Sequence, residues 1–278
     1  MAPRVDRQFV SIAEGQAHLR LCGDPGLPPL VMLHGSPGSS YSLVPLMQAL
    51  SVKRRVYAID TLGNGDSSPA AMEVPDIPCL ADAHARVIDA LGLGQVDLYG
   101  YHTGASICTE LSGTRPDRVR RIIMDGVSVF DPGASADLLA NDHAPPIPID
   151  YEGSQLLKAW SMVRDAHLFW PWWNRGAANR RALGLPSVEY LHFEVLEVLK
   201  APETYYKSYR AALNYPKREK LPRVANPTLV CGCPSDQLFD HMERAAALIP
   251  GSRLAVTPER TDAAGLRATA DIMLQFLD

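Results

Sequence analysis

Residues 98–107 read LYGYHTGASI. An apolar run climbs to Gly100, and the stretch from Gly104 onward reads as the opening of a helix, so the segment is a strand, a sharp turn and a helix. The turn's apex is His102, with a glycine two residues to either side. In an open α/β sheet, ligands bind beyond the carboxyl ends of the strands. The apex of such a bend is therefore where a reactive side chain would be displayed.

The chain on both sides alternates in the same way. RQFVSI and AHLRLC read as short strands, PLVMLHG as a buried strand ending in a turn, SLVPLMQAL as a helix and RRVYAID as a strand. Leu80, Val87, Ile88 and Leu91 form one helical stripe over 77–91, stopped by Gly92 and Gly94. Next come QVDLYG, a helix from Thr103 to about Arg115, and the strand VRRIIMDG. From about Asp131 to Pro216 no clear strand is legible. This region starts with the proline-rich HAPPIPID and holds all four tryptophans, Trp160, Trp170, Trp172 and Trp173. After Pro222 the alternation resumes with NPTLVCGC, the helix DHMERAAALI, the strand SRLAVT and a last amphipathic helix. The expectation is an α/β fold with a mostly parallel sheet flanked by helices. Residues 1–130 and 217–278 form its core, and 131–216 form an inserted helical unit.

Bulk properties narrow the function. A net charge of −4 with no basic run argues against nucleic acid or an anionic membrane as partner. No stretch reads as a signal peptide or a membrane span, which leads to an expectation of a cytoplasmic protein. Cys22, Cys79, Cys108, Cys231 and Cys233 are odd in number and lack CxxC spacing, so neither zinc nor a disulfide framework is expected. The expected partner is a small molecule, and a homodimer stays open as an assembly.

Four strand ends carry suggestive residues: HGSPGS at 34–39, DTLGNGDS at 60–67, the turn at His102, and GCPSDQLF with Asp236. Glycines after a strand let backbone N–H groups turn inward, as an oxyanion hole requires. In this order and at these separations the four pieces resemble the α/β-hydrolase family, in particular its branch with a helical cap. The resemblance covers nearly the whole chain. It implies that 131–216 is the cap, that the turn is a nucleophile elbow, G-x-S-x-G in the family, and that a triad runs nucleophile, acid, histidine along the chain.

Carried over, the nucleophile position is His102 and the acid position Asp236. The histidine should follow the last strand, but that window reads TPERTDAAG, and the last histidine in the chain is His241. Glu259, Arg260, Thr261 or Asp262 takes its place. A serine hydroxyl needs a base to become a nucleophile. With neither residue present, the usual acyl-serine route is closed.

The reading that follows makes His102 an acid/base group, oriented by Asp236 or by Asp125 at the end of RIIMD. Oxyanion N–H groups would come from Thr103 and from the turn at Gly35 and Ser36, with Tyr101 and Trp170 as substrate contacts. Such a site suits cofactor-independent lyase, decarboxylase, isomerase or cyclase chemistry on a small apolar or aromatic carbonyl compound. Two alternatives stand beside it: hydrolysis, with His102 activating water or attacking an ester, and a pocket that binds without chemistry. His34, Asp60 and Asp66 read as loop braces and His84 as packing, while His143, His167 and His192 are candidates for a base carried on the insert. No spacing supports a metal site.

Overall fold

The computed structural model describes residues 2–182 and 184–278. Its strands are β1 (Asp6–Ile12), β2 (Gly15–Cys22), β3 (Pro29–Leu33), β4 (Arg55–Ile59), β5 (Val96–Tyr101), β6 (Val119–Asp125), β7 (Thr228–Gly232) and β8 (Arg253–Val256). They form one sheet in the order β1-β2-β4-β3-β5-β6-β7-β8. β1 and β2 are antiparallel, as are β2 and β4, and every later pairing is parallel. This is the mostly parallel, helix-flanked sheet that the alternation predicts.

Strand periodicity explains why the middle of the sheet is apolar on both sides. In β3, Val31 and Leu33 join the core on one face, while Leu30 and Met32 join the core on the other. The first face is covered by α2 (Ile77–Ala90), α3 (Thr103–Thr114) and α9 (Met242–Leu248), through Leu80, Val87, Ala105, Leu111 and Ala245. The opposite face is covered by α1 (Val44–Leu50) and α10 (Ala263–Leu277), through Met47, Leu50, Met273 and Leu277. Tyr99 lies in this second core with Tyr101 packed against it, so both rings sit on the α10 side of β5.

Between β6 and β7 come α4 (Pro132–Ala140), α5 (Ser154–Leu168), α6 (Val188–Lys200) and α7 (Tyr205–Asn214), then the one-turn α8 (Lys217–Lys220). Their own apolar cluster contains Ile147, Ala159, Met162, Leu191, Val198 and Tyr205. Polar ties hold this group over the sheet's carboxyl edge. Thr204 Oγ1 donates to the Gly63 carbonyl at 2.7 Å, and the Ser36 and Ser208 hydroxyls meet at 2.7 Å. No helix among the described residues is long and apolar enough to cross a membrane.

Candidate active site

The turn between β5 and α3 is as sharp as its glycines allow. A Cβ on Gly100 would lie 2.5 Å from the Ala105 nitrogen, and one on Gly104 would collide with the Leu33 carbonyl. Only hydrogen fits at either place. His102 therefore sits at the apex with φ 49° and ψ −103°, a conformation that costs a non-glycine residue on the order of 1–3 kcal/mol. Its N–H donates to the Asp125 carbonyl at 3.1 Å, and its own carbonyl accepts from Ala105 N–H at 3.1 Å. The strained residue is pinned at both ends.

The imidazole reaches Asp236, in the loop after β7. Nε2 lies 2.8 Å from Oδ2 and 3.1 Å from Oδ1. A carboxylate only accepts, so Nε2 carries the proton in this contact. Nδ1 makes no hydrogen bond to protein among the described residues and keeps some accessible surface. Gly126, at φ +67°, makes room for the ring: a Cβ there would be 2.5 Å from His102 Cδ2 and 2.7 Å from Nε2.

Two further hydrogen bonds hold Asp236, and a ring contact holds the imidazole. Leu238 N–H donates to Oδ1 at 2.7 Å, Tyr101 Oη donates to Oδ2 at 3.2 Å, and the Tyr101 ring stacks on the imidazole with centroids 3.9 Å apart. Burial resists ionisation of Asp236. The positive charge available on His102 and these hydrogen bonds outweigh it and hold the carboxyl at about 2. Burial first, then the Asp236 charge, pushes the Tyr101 phenol well above its ordinary value, so it remains a donor.

Asp125, the other carboxylate that the sequence offers to the imidazole, does not meet it. Its Oδ2 accepts from Tyr99 Oη at 2.7 Å and from Arg260 Nη1 at 2.7 Å, with the carboxyl fully buried. Asp125 lies in register with Tyr101, and its side chain takes the same face of the sheet as the tyrosines. Within TPERTDAAG it is thus Arg260 that turns in toward the sheet. Glu259 instead accepts from Ser235 N–H at 3.0 Å, and Asp262 caps α10.

Beside the ring lies a small cavity of about 30 Å³, lined by Ser36, His102, Thr103, Ser128, Phe130, Trp170, Tyr209, Ala212, Leu213, Gln237 and Leu238. That is room for about two waters. Thr103 opens α3, so its N–H has no partner within the helix, and the residue lines this cavity at the helix's positive end. Gly35 lies under Tyr101, where a Cβ would be 3.1 Å from the ring's Cδ1, and it does not line the cavity. Tyr101 is likewise absent from the wall, since its ring backs the imidazole.

The insert's histidines stand apart from the apex. His143 is buried edge-on to Trp170 at 4.6 Å, and burial lowers it to about 4. His167 pairs with Glu194 at 2.5 Å, and His192 is exposed. His34 braces its loop, with Nδ1–H donating to the Gly35 carbonyl at 2.7 Å and Nε2 accepting from Thr61 N–H at 3.0 Å. His84, lowered to about 3 by burial, lies 3.2 Å from the Thr61 hydroxyl. Asp60 accepts from Ser40 and Asp66 N–H groups, as a loop brace should.

Metal-ligating side chains converge, among the described residues, at His18, Asp60 and Asp66. A cation is already there: Arg7 donates to His18 Nε2 at 2.9 Å and to Asp66 at 2.5 Å. The five cysteines are free thiols.

Sequence reasoning did not find Ser128, Phe130, Gln237, Tyr209 or Leu213. The first three follow strand ends, which was an available signal. Tyr209 and Leu213, one turn apart on α7, carried none.

Comparison with known proteins bears on the fold. Part of the chain is 39% identical over 103 residues to 2-hydroxymuconate semialdehyde hydrolase from Pseudomonas sp. (strain CF600), covering 35% of this chain and 36% of that protein. It is 30% identical over 116 residues to the carboxylesterase YbfK from Bacillus subtilis (strain 168), covering 42% and 39%. The alignments thus span well under half the length of these curated relatives. A solved hydrolase from Pseudomonas aeruginosa PA01 superposes with a TM-score of 0.75 at 19% identity, covering 98% of both chains. A family model described as "alpha/beta hydrolase fold" matches residues 28–264, which takes in every strand from β3 to β8 and the elbow between them. On that span the chain belongs to the α/β-hydrolase fold family.

Proposed function

We propose that this protein is a cofactor-independent hydrolase of a small apolar or aromatic carbonyl compound, with the His102–Asp236 pair as its acid–base unit. One observation carries the reading: Nε2 is tied to a buried carboxylate while Nδ1 is left free beside a cavity that Ser36 and Thr103 also line. Nδ1 takes a proton from a water as its oxygen attacks the carbonyl carbon. The oxyanion is received by the N–H groups of Thr103 and Ser36, and the imidazolium, stabilised by Asp236, returns the proton to the leaving group. Attack by water fits a site whose elbow holds no hydroxyl. The helices of 131–216 act as a cap, with Trp170, Phe130 and Tyr209 giving aromatic walls suited to a ring or an apolar chain.

The relatives' names favour hydrolysis over the lyase-type chemistry that the sequence alone suggests. The same pair could instead remove a proton beside a carbonyl, so the test carries both substrates. Wild type, His102→Ala and His102→Ser are compared on aryl esters and on β-keto acids. The expectation is ester hydrolysis by wild type, reduced about 10²- to 10⁴-fold in both variants. Equal turnover by all three overturns the reading, and turnover of β-keto acids alone would transfer the pair to carbon-acid chemistry.

A further inference from the structure

We infer that Arg260 is a positioning residue: by pairing with Asp125 and packing on Tyr101, it leaves Asp236 as the one carboxylate partner of His102. This rests on the proposed acid–base role of His102 and deepens it. The two departures from the family pattern then form one arrangement. The ring has moved to the elbow, and the window where the family keeps its histidine supplies a guanidinium.

Arg260 touches neither atom of the acid–base pair, yet it bounds that pair on one side. Nη1 donates to Asp125 Oδ2 at 2.7 Å and lies 3.4 Å from Tyr99 Oη. Its Cζ is 5.7 Å from the centre of the Tyr101 ring, the ring that stacks on His102 and donates to Asp236. Asp125 is adjacent to the elbow, since its carbonyl accepts the His102 N–H. Deprived of its guanidinium, that fully buried carboxylate would favour the charged imidazolium and so weaken the ring as a base near neutral pH. The other groups facing the ring are Asp236 from the loop after β7, Tyr101 from β5 and Tyr209 from α7 across the cavity. Tyr190 of α6 lies within electrostatic reach of Tyr101 and Arg260.

The test follows His102 by ¹⁵N-histidine NMR in wild type, Arg260→Lys, Arg260→Met and the double variant Arg260→Met/Asp125→Asn, with circular dichroism confirming the fold. The expected result is a titration midpoint raised by about one pH unit in Arg260→Met. The double variant and Arg260→Lys should keep the wild-type midpoint. The ascending limb of kcat/KM should move with it. Should Arg260→Met fail to fold, Arg260→Gln, which keeps a hydrogen bond to Asp125 without the charge, reads the same shift. An unmoved midpoint in a folded variant lacking the charge overturns the inference, as does a shift that persists when Asp125 is also neutralised. The titration needs no turnover. An unmoved midpoint with His102→Ala inactive removes only the role of Arg260, whereas activity surviving in His102→Ala removes the proposed function and leaves the titration readable.

Discussion

Gly126 faces the imidazole from the end of β6, and its single hydrogen sets where the ring can lie. Alanine there would place a Cβ 2.5 Å from His102 Cδ2 at a backbone φ of +67°, so both the ring and the turn must shift. Gly126→Ala is expected to lower stability by about 1–3 kcal/mol in a urea melt. It should also reduce turnover at least tenfold, because the displaced ring loses Asp236. Asp236 makes a prediction about acid. Its folded value of about 2 lies below the ordinary carboxyl value of 3.8, so its ionised form stabilises the fold. The contribution is fully present above 3.8 and is lost as pH falls through about 2. It is worth on the order of 2 kcal/mol. The stability gap between wild type and Asp236→Asn should therefore narrow between about pH 4 and pH 2 in denaturant melts. A gap that does not change with pH would mean that the carboxylate's charge is not what matters. Both His102 and Asp236 were legible before any coordinates, because strand ends and chain order pointed to them. Which of Asp236 and Asp125 the ring meets was not: the apex side chain and the loop carboxylate are 134 residues apart, and only the closing of the sheet brings them to 2.8 Å.

The segment after β8 shows where an element carries more information than its composition. Four residues of TPERTDAAG could have replaced a histidine, and spacing offered no way to choose. Helix chemistry accounts for one of them. Asp262 Oδ1 accepts from Ala264 and Gly265 N–H at 2.9 and 2.8 Å, the N-cap of α10. Asp262→Ala is therefore expected to cost about 1 kcal/mol of stability while leaving kcat/KM unchanged. A large loss of activity there would mean that the wrong residue of the window has been linked to the site. Arg260 could not be assigned from sequence because a long flexible cation reaches any nearby carboxylate. Its partner had first to be buried at the end of β6. The strands and helices of the core were easier to read, since two-residue alternation and helical stripes are local. The helix pattern of the insert was legible too, but which faces of α6 and α7 meet the sheet was not, because that depends on ties such as Ser208 to Ser36.

At the scale of the whole molecule, the sheet presents the proposed acid–base pair, and the helices between β6 and β7 lie beside it. The space beside His102 is about 30 Å³, and Trp170 forms part of its wall, so the size of that side chain bears on which carbonyl compounds fit. Trp170 belongs to the insert, lines the cavity and packs edge-on to His143 rather than being fixed in a strand. Trp170→Ala should enlarge the cavity without touching the pair, so acid–base chemistry survives while size selection relaxes. The measurement is the ratio of kcat/KM for a naphthyl ester to that for an acetate of a simple phenol. It is expected to rise several-fold, consistent with the 1–3 kcal/mol that a pocket wall contributes to discrimination. Equal loss on both esters would place Trp170 in the acid–base machinery instead. An unchanged ratio would mean that substrates approach His102 from another side and that the insert does not roof the site.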